Sequence, residues 1–366
     1  MSHDLLEFVE RYLAESSDDC VSIRGQTLLV HVPETDAHIK LARTHLPSNN
    51  RRASAHGLTY FDHCGLHYES YAEFLIYLDN WQSWPTKSAL RFRVGDVCVS
   101  VGLCSHLIPL LFGPYYLDDR LNQIDLAGYS SIRLIGVSRD QAKHVVLEAL
   151  YYLNSHYLAP IKSGVQIHHL LTQDDLRKLP PWGKADVVSR KRVRRREPIA
   201  NLPAALLFNQ ASVTYGDARF LGYYRVLEYF SPIGFEEEVA RLRSDVSVSV
   251  ANLIGIVKNR SERDQLRHLL SRITTHAQRR RLTKFAKDYK LVQNEKFEDL
   301  VGALYDFRCS IVHAKVSEME RTRVPNPLQS DNILTHWIYL TRELAKRAVQ
   351  KLGSKEWRLS NKRMNV

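Results

Sequence analysis

Cysteine is scarce in this chain, and what there is forms no pattern. The five residues, Cys20, Cys64, Cys98, Cys104 and Cys309, are odd in number, and no two are spaced as CxxC. That excludes a sequence-encoded disulfide framework or a thiolate zinc site, and reduced thiols point to a cytoplasmic protein. Long apolar runs are also missing. The most apolar stretch, Leu107 to Leu117, is interrupted by Pro109, Gly113 and Pro114, and is too short to span a bilayer. No membrane partner is expected. The N-terminus reads Met-Ser-His-Asp-Leu-Leu-Glu and has no apolar core of a signal peptide. Acidic residues are outnumbered, 40 against 51 Lys and Arg, which leaves a formal net charge of +11. An excess of cations suits a polyanionic partner, because clustered Lys and Arg neutralise phosphates and release counterions.

At 366 residues the chain has room for two domains and enough core to need no covalent staples. Up to about residue 160 the pattern is mixed. Leu5, Leu6, Val9 and Leu13 have helical spacing. Thr27–Val32, Arg91–Phe92 and Val94–Val101 are rich in β-branched residues and predict strands. Ser131–Val137 reads as a buried strand, followed by a helix over 139–153 with Ser138 as N-cap and Gln141 completing a capping box. This first part is expected to be an α+β domain of unknown topology.

Residues 161–200 read as a connector, with Pro180, Pro181 and Pro198 and the densest positive charge in the chain: Arg190, Lys191, Arg192, Arg194, Arg195 and Arg196. Such a run is either a solvated linker or a nucleic-acid contact arm. From Asn201 the periodicity turns helical. Segments over 202–209 and 218–230 come first, then helices over 236–258, 262–289, 296–316 and 331–352, and a basic tail over 353–366. Phe297, Leu300, Val301, Leu304 and Ile311 mark the buried stripe of the helix over 296–316, predicting an all-α bundle with up-down neighbours. Arg279, Arg280 and Arg281 form a second basic cluster, either a solvated face or part of an RNA groove.

The helix over 296–316 closes on Tyr305-Asp-Phe-Arg308-Cys309-Ser-Ile-Val-His313-Ala-Lys315. This resembles the HEPN family signature, an Arg and a His a few residues apart near the end of a long helix, preceded by a Tyr one turn earlier. Tyr223-Tyr-Arg-Val-Leu-Glu228 resembles the first long helix of many such domains, and the likeness covers residues 201–352. Cys309 stands where the family often has Asn, Asp or His. The resemblance implies a metal-independent RNA endonuclease without cofactors, active as a homodimer in which two such motifs meet. Arg308 and His313 would be catalytic, Glu228, Tyr305 and Cys309 auxiliary, and Lys315 a phosphate contact. By analogy with the family, a bacterial anti-phage or toxin-type role and a regulatory or antitoxin partner are expected.

The chemistry of the residues agrees with that expectation. RNA carries its own nucleophile in the 2′-hydroxyl. His313 can move a proton near neutral pH, and Arg308 can match phosphate oxygens with a planar fork. Five positions apart, the two point about 140° from each other on an ideal helix, so a distorted last turn or a second subunit must bring them together. Two plainer readings stand beside this one. Arg308 can be a structural partner of Glu228, and His313 a histidine favoured by the helix C-terminus. The domain as a whole can be an inactive HEPN module that binds RNA or nucleotide, or a dimerisation scaffold.

Overall fold

The computed structural model describes residues 20–24, 27–32, 37–42, 58–61, 64–78, 89–112, 130–157, 165–167, 195–196, 198–244, 249, 261–312 and 332–353. It divides into two compact units, Met1–Pro198 and Ile199–Val366. The helix expected over 5–13, most of 245–258 and the tail beyond 353 lie outside the described residues.

In the first unit, β1 (Val21–Arg24), β2 (Thr27–Val32) and β3 (Ala37–Ala42) form a three-stranded antiparallel sheet. Leu28, Val30 and Val32 of β2 are buried and alternate with half-buried neighbours, the two-residue period of a strand with one covered face. A larger sheet is built from β4 (Leu58–Phe61), β5 (Gly65–Tyr68), β6 (Tyr71–Leu78), β7 (Leu90–Val94), β8 (Val97–Leu103), β9 (Ser130–Ile135), β10 (Val165–Ile167) and β11 (Arg195–Arg196). Its order is β11-β7-β8-β9-β6-β5-β4, with β10 paired to β6 off that path. The run expected as a strand over 94–101 is instead split by a tight turn. Val94 pairs with Val97, which leaves two residues to reverse the chain, and Gly95 supplies the positive φ, 57°, that such a turn needs. The segment read as a connector contributes two strands to this sheet, β10 antiparallel to β6 and β11 parallel to β7.

β9 lies between β8 and β6 and is buried along nearly its whole length. A six-residue helix, α1 (Leu107–Phe112), follows β8, and after β9 comes α2 (Arg139–Tyr152), extended by a π-helical turn over Leu153–Tyr157. The stripe Ala142, Val145, Val146, Ala149 and Leu150 is buried as its spacing predicts. Ser138 is the N-cap of α2, but its hydroxyl donates to Gln141 Oε1 at 3.1 Å and accepts nothing from the first helical turn, so the expected capping box is not made.

The core of this sheet holds a polar network. Glu73 of β6 is fully buried. It accepts from the Ser105 backbone N–H at 2.8 Å, Ser131 Oγ at 2.7 Å and Tyr71 Oη at 2.9 Å, and from Ser105 Oγ. Arg133, also buried, stands opposite it in the β6–β9 register. Burial, and then Glu73, push the Tyr71 phenol well above its ordinary range, with Arg133 pulling the other way.

The second unit is helical: α3 (Leu202–Ser212), α4 (Gly216–Ser244), α5 (Glu262–Ile273), α6 (His276–Asp288), α7 (Phe297–Val312) and α8 (Asn332–Leu352). α4 runs unbroken through Pro232, where the periodicity predicts two helices. A proline inside a helix costs about 3 kcal/mol. The buried residues Phe220, Tyr223, Tyr224, Val226, Leu227, Phe230 and Ile233 on α4, which packs along α8 and α3, offset that cost. A Cβ on Gly222 would meet Ala211 Cβ at 2.8 Å, so glycine lets α3 and α4 approach. The region read as one helix over 262–289 is two, parted at Thr274, whose φ and ψ of −118° and 142° are extended. The next helix starts with a true capping box between Thr275 and Gln278. In α7, Leu300, Val301 and Leu304 are buried, while Phe297 and Ile311 are only half-buried. Phe307 fixes the later turns, with its ring 4.8 Å from that of Phe220 and 5.1 Å from that of Trp337.

Candidate functional site

Three helices of the second unit bring their polar faces together near the end of α7. Tyr224 and Glu228 are one turn apart on α4 and share a face, as do Tyr305, Arg308 and Cys309 on α7. Glu262 is the first residue of α5, after Ser261, whose hydroxyl caps that helix by accepting from the Asp264 N–H at 3.0 Å. A carboxylate at a helix start and an arginine in the last turns of another each complement the local helix dipole.

Arg308 is the centre of this group. Its Nη2 donates to Glu228 Oε1 at 3.0 Å, and its Nη1 lies 3.8 Å from Glu262 Oε2. Its guanidinium carbon is 5.9 Å from the centre of the Tyr224 ring, within cation–π range. Tyr305 Oη donates a long hydrogen bond of 3.4 Å to the same Glu262 oxygen. The arginine side chain is only 17% exposed, whereas Glu228 and Glu262 are 44% and 64% exposed. The cation is therefore held from behind, and the carboxylates stand toward solvent.

The electrostatics follow from this layout. Burial works against the Arg308 charge, but Glu228, the Cys309 side chain and Glu262 outweigh it and raise its pKa further. Burial, then Glu228, raises the Tyr224 phenol, with Arg308 opposing. Tyr305 is pushed up to about 12 by burial first, then by Cys309 and Glu262. Both phenols are thus neutral donors at physiological pH, and Arg308 is a permanent cation.

The structure unites Glu228, Tyr305, Arg308 and Cys309 among the expected site residues. Glu228 pairs with Arg308 and is also 44% exposed to solvent. His313 follows directly on Val312, the last residue of α7, but His313 and Lys315 lie outside the described residues. So do Arg190, Lys191, Arg192 and Arg194, whereas Arg195 and Arg196 form β11. The triplet on α6 divides. Arg279 is half-buried and structural: its Nε donates to Thr274 Oγ1 at 3.2 Å, its Nη2 to the Ser271 carbonyl, and its guanidinium lies over the Phe297 ring. Arg280 and Arg281 are exposed.

Two members of the group escaped the sequence reading. Glu262 looked like an ordinary acidic residue in a first helical turn, and only the fold shows that α5 starts beside α7. Tyr224 was visible as one turn before Glu228, a spacing that puts an aromatic face next to that carboxylate. Among the described residues no three of His, Cys, Asp and Glu are close enough to hold a metal ion, and no helix is long and apolar enough to cross a membrane. No protein-family model, no curated protein and no solved structure matches this chain.

Proposed function

We propose that the chain is a metal-independent endoribonuclease of the HEPN type, with Arg308 and His313 as its catalytic pair. The observation that carries this reading is the fixed guanidinium of Arg308, backed by Tyr224 and tied to Glu228, five residues before His313 in the sequence. In the reaction the 2′-oxygen attacks the neighbouring phosphorus, the bond to the 5′-oxygen breaks, and a 2′,3′-cyclic phosphate forms. A proton leaves the 2′-hydroxyl and another reaches the departing 5′-oxygen. His313 carries one of these transfers, with its copy in a homodimer available for the other. Arg308 stabilises the charge that builds up on the phosphoryl oxygens. Glu228 is a positioning residue for Arg308. The first unit selects RNA or restrains cleavage, and the biological setting is a bacterial anti-phage or toxin-type response, by analogy with the family.

The two carboxylates around Arg308 favour a second reading, a helical module in which Arg308 is only a structural cation and nothing is cut. One experiment separates the two. Wild type and the Arg308→Ala/His313→Ala double variant are incubated with total RNA in EDTA, and the new ends are sequenced. The endonuclease reading requires wild-type cleavage that leaves cyclic phosphates or their hydrolysis products, lost in the double variant. Replacing His313 alone by Ala lowers the rate by about 10²–10⁴. Full activity in that variant, or no cleavage by wild type, refutes the reading.

A further inference from the structure

Away from Arg308, the second unit carries an array of rings between α6 and α8. Tyr289, just after α6, lies against His336 of α8 with ring centres 3.9 Å apart. Phe285 of α6 is 4.6 Å from Tyr289 and 5.2 Å from Tyr339 of α8. Half of this array is at the surface: Tyr289 is 45% exposed and Tyr339 36%, with Ile333, 54% exposed, one turn before His336. Filling the gap between two helices accounts for Phe285. It does not account for two large rings left in water at the outer edge of the same cluster.

The charge around the rings has one predominant sign. α6 has five cations, Arg279, Arg280, Arg281, Lys284 and Lys287, and one acid, Asp288. Arg281 is one turn before Phe285 on the same side, Lys284 adjoins it, and Lys290 follows Tyr289; all three are exposed. Among the described residues the acids nearby are Asp288, Glu295, whose carboxylate is 3.3 Å from Lys287 Nζ, and Glu343, one turn after Tyr339 and 3.2 Å from Arg342 Nη1.

We propose that this face, with Tyr289 and Tyr339 as stacking surfaces and Arg281, Lys284 and Lys290 as phosphate contacts, binds single-stranded RNA. Rings read the faces of bases that are not stacked in a duplex, and flanking cations follow the backbone. A partner of mixed charge would not need a surface so one-sidedly basic, and a duplex would not present its base faces. The choice of RNA over DNA rests on the endonuclease reading. The platform itself does not, because it shares no residue with the Arg308 group.

The test uses full-length protein and a fluorescent 2′-O-methyl oligouridine 12-mer, which lacks the 2′-hydroxyl nucleophile and so stays intact. Binding then reports on the platform alone, and failure of the cleavage reading leaves it unaffected. Fluorescence anisotropy is measured for wild type, Tyr289→Ala/Tyr339→Ala, Tyr289→Phe/Tyr339→Phe and Arg281→Glu/Lys284→Glu, against the same strand in a duplex. The Ala pair is expected to weaken single-strand binding about tenfold or more, the Phe pair to restore it, and the charge pair to weaken it and flatten its salt dependence. Wild-type affinity in the Ala pair overturns the proposal. So does equal binding of single strand and duplex, or a change in oligomeric state caused by the Ala pair, which would make the face a contact between copies. Unfolding of the Ala pair would leave the Phe and charge pairs to decide: affinity unchanged by the charge pair also overturns the proposal.

Discussion

Replacing Glu228 separates a structural salt bridge from a positioning one, because the geometry sets different limits for each. The carboxylate is 44% exposed and meets Arg308 through one 3.0 Å contact. A pair this open to solvent is worth about 0.2–1 kcal/mol. Glu228→Ala should therefore lower the melting temperature of the helical unit by no more than about 4 °C. Arg308 loses more in order than the protein loses in stability. Without Glu228 the 3.0 Å hydrogen bond to its fork is lost, while the Glu262 carboxylate stays more distant at 3.8 Å, and misplacement of a catalytic group by about 1 Å can cost about 10² in rate. Cleavage by Glu228→Ala should fall by roughly that factor in kcat with KM little changed. Glu228→Gln keeps an oxygen that can accept from Nη2, and should retain most of the activity. The assay is cleavage of a labelled RNA in EDTA beside thermal unfolding of each variant. If Ala and Gln lose activity equally, the charge and not the placement of Arg308 matters. If Glu228→Ala cleaves faster than wild type, the carboxylate only repels phosphate, and the positioning role is wrong.

In the first unit, Glu73→Ala should cost about 3–5 kcal/mol, because it strips a buried carboxylate from four donors and leaves the buried Arg133 without its cross-strand acid. Loss of hydrogen-exchange protection across β6, β8 and β9 would register it, and a loss below about 1 kcal/mol would mean that the network is dispensable. Alkaline pH should destabilise the helical unit. Tyr305 ionises at about 12 in the folded chain against 10.0 ordinarily, so the unfolded state gives up its proton first. The stabilisation is complete below about pH 10 and is lost as pH rises toward about 12. Denaturant midpoints across that range should fall less steeply in Tyr305→Phe, and identical slopes would contradict the assignment.

What the sequence reveals depends on how far apart the interacting residues are. β2 and the buried stripe of α2 were legible because burial there is periodic within six to fourteen consecutive residues. The Gly95 turn was hidden inside a run of β-branched residues, since one positive φ reverses a chain without changing the composition around it. The break expected between 230 and 236 failed for the opposite reason: α4 continues through Pro232, held by burial against its neighbour α3 and against α8, which is distant in sequence. The two strands β10 and β11 sit among prolines and cations, and pairing with β6 and β7 decided their structure. At the site, Arg308 and Glu228 could be named as a pair because each stood out in its own helix. Glu262 could not, since its part depends only on where α5 begins relative to α7.

The balance of charge at Arg308 bears on the proposed dimer. Among the described residues one guanidinium faces two carboxylates, a local sum of −1, and a phosphodiester would add another negative charge. A protomer with only these groups would hold RNA poorly. In sequence His313 and Lys315 come just after Val312 and are further sources of positive charge. A two-fold arrangement doubles that contribution at a shared substrate, while each Glu228 stays on its own arginine. An endonuclease built this way would lose activity on dilution at constant RNA, with the rate per protomer following the fraction dimerised. A rate per protomer independent of concentration, measured across a range where sedimentation reports dissociation, would remove the reason for the second copy and return the chemistry to a single chain.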